Sequence, residues 1–218
     1  MRLEDQEWVI NPNTGKKIDM KKLLKDVAIA QAQVCGKYPF FETLLNRLEF
    51  QYSFQYPTMA TDGVRLIMNP EFTDGLTLRQ KCFVMMHEVM HCALDHMERG
   101  KHHDRWKSNV AGDYEINDTL LQSGVITKSE FDQIGGLYDE KYIGDQGVWA
   151  YEHIYAANPR QPKKPQKQEG GQSGSDGQND SQSSDGNSDN NDDNKRSPDY
   201  IDGWNQALED YKNGKIKL

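Results

Sequence analysis

The chain has 218 residues and sets 26 Lys and Arg against 34 Asp and Glu, a formal net charge of -8. That balance speaks against a surface built to hold phosphate backbones, so nucleic acid is not an expected partner. With 28% charged and 35% hydrophobic residues and a mean hydropathy of -0.90, the chain is too polar to fold from end to end, so one domain with appendages is expected.

The first residues, Met1 to Glu7, are charged and lead into no apolar stretch, and nowhere do about 18 uncharged apolar residues run together. A cytoplasmic protein that spans no membrane is the expectation. Cys35, Cys82 and Cys92 form no CxxC pair, which fits a reducing compartment and small core residues better than a disulfide framework.

Asp19 can cap a helix in which Leu23, Leu24, Val27, Ala28, Gln31 and Val34 share a face, with Gly36 as its stop. Pro39 opens a second helix carrying Leu44, Leu45 and Leu48. From Phe50 the period changes to two, with Phe50, Tyr52, Phe54 and Tyr56 alternating with polar residues as in a strand with one buried face. A hairpin is expected next, with Thr61-Asp62-Gly63 as the turn, Val64 to Met68 as the returning strand and Asn69-Pro70 closing it. That returning strand is a candidate edge for aligning an extended peptide, or else a purely structural hairpin.

Thr77-Leu78-Arg79-Gln80 has capping-box form, and the helix it starts is expected to stop at Gly100. From Cys82 to Leu94 it is apolar almost all round, so it should be buried, and its polar residues carry the information. His87 and His91 are four apart and project from one face, where both imidazoles can converge on one cation. Glu88 lies beside them, placed to take a proton from a water activated by that cation. His-Glu-x-x-His is therefore read as a zinc site with Glu88 as general base, because burying two imidazoles and a carboxylate without a shared partner is costly.

Zinc catalysis needs a third protein ligand and an open position. The metzincin pattern is excluded by Leu94 and Met97, where glycine and histidine would be required. His96, five residues from His91, should point elsewhere on the helix, and His102 and His103 should be solvated in a loop. The better ligand is Asp113, on a helix expected over about Ser108 to Gln122, where it shares a face with Val110, Asn117 and Leu121. Glu115 is the alternative. Gly112 would let the two helices approach closely, Asn117 could hydrogen-bond a ligand, and Tyr114 or another tyrosine could stabilise an oxyanion.

Residues 1–157 are thus read as the catalytic domain and residues 158–198 as a disordered acidic linker rich in Gly, Ser, Asn and Asp. The run from Asp185 to Asp193 lacks the terminal glutamate of a calcium loop. In residues 199–218, Trp204, Ala207, Leu208 and Tyr211 have helical spacing, giving a short helix that ends near Gly214.

Asp62-Gly63, Asn69-Pro70, the segment from His87 to His96, Trp106, Ala111 to Asn117, Gly136 to Asp139 and Tyr151 together resemble a bacterial metallopeptidase domain family that often precedes a von Willebrand A-like domain. The likeness covers about residues 20 to 157, the linker and the last helix. It implies a zincin-like α+β fold with a small antiparallel sheet beside the HExxH helix, His87, His91 and Asp113 as metal ligands and Glu88 as base. A peptide or protein substrate is implied, and the family's setting suggests a von Willebrand A-like domain or a MoxR-type ATPase as partner. No von Willebrand A-like segment occurs up to Leu218. Two other readings remain: an interaction module with a structural metal and an acidic tail, in which Glu88 has no role, and a metal-dependent amidase acting on something other than ordinary protein chains.

Overall fold

In the computed structural model, which describes residues 2–144 and 147–157, two short strands, β1 (Trp8–Ile10) and β2 (Lys17–Asp19), pair antiparallel and lead into α1 (Met20–Lys37). Asp19 caps α1 as expected, its side chain accepting from the Lys22 N–H. The helix runs through Gly36 and buries Leu23, Val27, Ala30 and Val34. The next helix, α2 (Pro39–Leu45), has proline in its first turn and buries Phe40, Phe41, Leu44 and Leu45.

The expected strand from Phe50 is shorter than its alternation suggested: β3 covers Glu49–Tyr52. β4 (Met59–Thr61) and β5 (Arg65–Met68) form the expected hairpin, in which Asp62 Oδ1 accepts from the Val64 and Arg65 N–H groups and Gly63 has φ 85°. β3 pairs parallel to β5, Glu49 beside Arg65 and Tyr52 beside Met68, so the sheet is mixed and ordered β3-β5-β4. This corrects one expectation. The strand through Val64–Met68 is the middle of the sheet and cannot accept a further strand; β3 and β4 are the edges.

Asn69 caps α3 (Pro70–Gly75), and the full capping box of Thr77 and Gln80 starts α4 (Leu78–Ala93). α4 is the central element, packed against α1, α2 and β4 and buried along most of its length, as its composition required. It does not reach Gly100. It ends at Ala93, Asp95 takes a left-handed conformation with φ 55°, and a separate turn, α5 (His96–Arg99), follows. Gly100 caps α5 at φ -85°, so its role is space: a Cβ there would meet Ser108 Oγ at 2.5 Å and the His96 carbonyl at 2.9 Å.

Asp104 caps α6 (Arg105–Gln122), which begins three residues before the expected start and packs across α4 and α5. A second capping box, Thr127 with Glu130, opens α7 (Lys128–Ile134). The ribbon β6 (Ile143–Gly144) and β7 (Gly147–Val148) precedes α8 (Tyr151–Ala157), which lies on α6 and is fastened to α5 by Arg99, whose Nε and Nη2 each donate to the Glu152 carboxylate at 2.8 Å. The architecture is α+β, with eight helices among the described residues. Among them, no helix is long and apolar enough to cross a membrane. The expected linker over residues 158–198 and the helix within residues 199–218 lie outside the described residues.

Candidate metal centre

α6 packs on α4, and at Gly112 there is no room for a side chain: a Cβ would stand 3.3 Å from His91 Cε1. That proximity brings His87 and His91 of α4 to Asp113 of α6. His91 Nε2 lies 3.1 Å from His87 Nε2 and 3.1 Å from Asp113 Oδ1, and His87 Nε2 lies 3.4 Å from the same oxygen. The group could hold a metal ion.

The donor set can be tested against zinc. Tetrahedral zinc with bonds of about 2.0–2.1 Å separates its ligand atoms by about 3.3 Å, close to the three distances in this triangle. Hydrogen bonding aims the atoms. Asn117 donates its amide to the Leu137 carbonyl at 3.0 Å, which leaves Oδ1 to accept from His87 Nδ1–H at 2.8 Å and turns the Nε2 lone pair towards Asp113. Asn109 donates to Asp113 Oδ2 at 3.2 Å, leaving Oδ1 for the triangle.

The electrostatics also call for a positive charge here. Burial opposes it, but the Asp113 carboxylate raises the pKa of His87; burial likewise opposes the ionisation of Asp113, yet the two imidazoles hold its pKa below the ordinary carboxylate range. His91, chiefly through burial and then through the charges of His87 and His96, is lowered to about 4. The pair His87–Asp113 thus keeps a proton that a metal ion would replace.

Glu88 is 7% exposed, and burial first, then the Asp113 charge, pushes its carboxyl up to about 7. It lines a cleft of about 550 Å³ together with His87, His91 and Asp113. One wall of the cleft is Thr58 to Thr61, which includes the edge strand β4; the other includes Gly100, His103 and Arg105. His103 is not simply solvated. Its ring stacks on Tyr155 with centroids 4.2 Å apart, and its Nδ1 lies 2.9 Å from the Tyr151 hydroxyl.

His96 departs furthest from expectation. Because α4 ends at Ala93, His96 folds back under His91 instead of pointing away, and is 7% exposed with Nδ1 3.1 Å from His91 Nδ1. Glu115, the alternative ligand, meets His96 Nε2 at 2.8 Å and stands outside the triangle. Neither role could be found from helical spacing, since a continuous helix sends His96 elsewhere. Tyr114 packs its ring 4.8 Å from that of Tyr142 and does not line the cleft. Cys82 is buried and Cys92 half-buried beside Thr61 Oγ1, as expected of core cysteines without a disulfide.

No curated protein and no solved structure matches the chain. A protein-family comparison does: over residues 23–217, which include all the side chains gathered at this centre, the chain belongs to the family described as "Putative metallopeptidase domain".

Proposed function

We propose that the cleft is the active site of a zinc-dependent metallopeptidase, with His87, His91 and Asp113 as ligands and Glu88 as general base. The observation that carries this reading is the convergence of three ligand atoms at zinc-like separations beside a buried carboxyl group on an open cleft. Zinc held there would act as a Lewis acid and lower the pKa of a coordinated water to about 7.

The protein's own groups supply the remainder. Glu88 takes the proton of the attacking water on its carboxylate and returns it to the leaving amine. A pKa raised towards 7 suits both halves of that transfer, and a cation at the triangle would draw it down and keep Glu88 ionised before attack. Asn117 and Asn109 hold His87 and Asp113 in place. The edge strand β4 is suited to aligning an extended chain. The Thr58 carbonyl accepts from Asn69 N–H at 2.9 Å, so the alternation of an antiparallel pair turns the main-chain groups of Met59 and Thr61 away from β5. A peptide laid there would add a strand and bring a carbonyl over the ligand triangle. In a purely structural metal site, Glu88 and the open cleft would serve no purpose.

Incubating the zinc-loaded protein with a peptide library tests the reading. Cleavage by wild type and its loss in Glu88→Gln, with zinc retained, is expected; cleavage by Glu88→Gln at the wild-type rate would refute the assigned base.

A further inference from the structure

We infer that His96 and Glu115 are positioning residues that set the tautomer of His91 and so aim its Nε2 lone pair into the ligand triangle. The inference rests on the metal reading above.

An ionised carboxylate only accepts, so the 2.8 Å contact of Glu115 Oε2 with His96 Nε2 requires the proton on that nitrogen. In a neutral imidazole the other nitrogen, His96 Nδ1, then carries a lone pair. His96 Nδ1 is then an acceptor 3.1 Å from His91 Nδ1, so that a metal replacing the proton between His91 Nε2 and Asp113 Oδ1, 3.1 Å apart, would leave the remaining His91 proton on Nδ1, held by His96. One carboxylate thus orders two imidazoles in series.

The relay is built in. His96 is 7% exposed and the Glu115 side chain 13% exposed, so water is a poor substitute for either partner. Arg99 stands 3.6 Å from the Glu115 oxygen that receives the bond, donates to the Leu94 carbonyl at 2.9 Å and is fixed by Glu152, which ties the relay to the end of α4 and to α8. Gly112 leaves the room: a Cβ at that position would be 2.7 Å from His96 Nδ1. The left-handed turn at Asp95 is what delivers His96 to this place, and so a non-glycine residue in a conformation that usually costs stability has a use here.

Two measurements test it. Long-range ¹H–¹⁵N correlation spectra of the zinc-loaded wild-type protein should put the His91 proton on Nδ1 and the His96 proton on Nε2; a His96 proton on Nδ1 overturns the inference. Zinc affinity, measured by competition with a chromophoric chelator, should fall about 10- to 100-fold in His96→Leu, which leaves His91 Nδ1 without an acceptor. His96→Gln, whose side-chain oxygen can accept from His91, should recover most of that loss, and urea unfolding of both variants shows whether either has failed to fold. Unchanged affinity in His96→Leu contradicts the inference, and so does loss of the bound zinc altogether in both variants, since His96 would then be a ligand. If wild type takes up no zinc, the metal reading fails and the inference with it; zinc bound by wild type and as tightly by His96→Leu sinks the inference alone.

Discussion

Replacing Gly112 with alanine separates two opposing effects. Alanine in a helix interior gains about 1 kcal/mol over glycine. Against that, the new Cβ would lie 2.7 Å from His96 Nδ1, 3.1 Å from His96 Cε1 and 3.3 Å from His91 Cε1. Atoms in ordinary contact stand about 3.5 Å apart, so both rings must move, and such overpacking costs about 1–3 kcal/mol. The net expectation for Gly112→Ala is a loss of about 0–2 kcal/mol. Gly36→Ala is the matched control: it too is helical, with nothing within 4 Å of the added carbon, and should gain about 0.5–1 kcal/mol. Urea unfolding of the two variants beside wild type reads the difference, and zinc competition should show Gly112→Ala about tenfold weaker. If Gly112→Ala gains as much stability as Gly36→Ala and binds zinc as wild type does, the close crossing of α4 and α6 is not what sets the two histidines.

Asp118, on α6, is fully buried with neither carboxylate oxygen hydrogen-bonded among the described residues, and burial, aided by the charge of Asp139, pushes its pKa up to about 7. Its folded pKa lies above the unfolded value of about 4, so the folded state holds the proton more tightly, and the stability this confers is complete below pH ~4 and lost as pH rises through ~7. Asp118→Asn should therefore be more stable than wild type at pH 8, by on the order of 2–4 kcal/mol, and lose most of that advantage at pH 4; a pH-independent difference would contradict the assignment. Arg99→Ala removes two bonds to Glu152 and one to the Leu94 carbonyl and should cost about 1–3 kcal/mol in urea unfolding, whereas Lys101→Ala, whose pair with Glu98 is exposed, should stay within about 0.5 kcal/mol. Equal effects would mean that Arg99 does not fasten α8.

What could be read in advance followed from short-range chemistry. Asp19 and Thr77 cap helices because their side chains reach N–H groups three residues ahead, a relation that needs no tertiary context. The spacing of His87 and His91 puts both on one helical face, and an acid at position 113, on a face otherwise apolar apart from Asn117, does come to meet them. Long-range choices were not legible. The alternation from Phe50 signals a strand but not its partner, and β3 joins β5 in parallel while the three-residue β4 takes the opposite edge. The break at Asp95 has no glycine to announce it; Gly100, which looked like the stop of α4, marks the close approach of α5 to Ser108 instead. From that one break follow the burial of His96, its contact with His91 and the diversion of Glu115 from the triangle.

The central claim is most directly tested by metal content. Elemental analysis of the purified protein, beside His87→Ala, Asp113→Ala and Glu88→Gln, should find one zinc in wild type and in Glu88→Gln, and little in the other two. No zinc in wild type, or zinc retained in full by both His87→Ala and Asp113→Ala, would contradict the account.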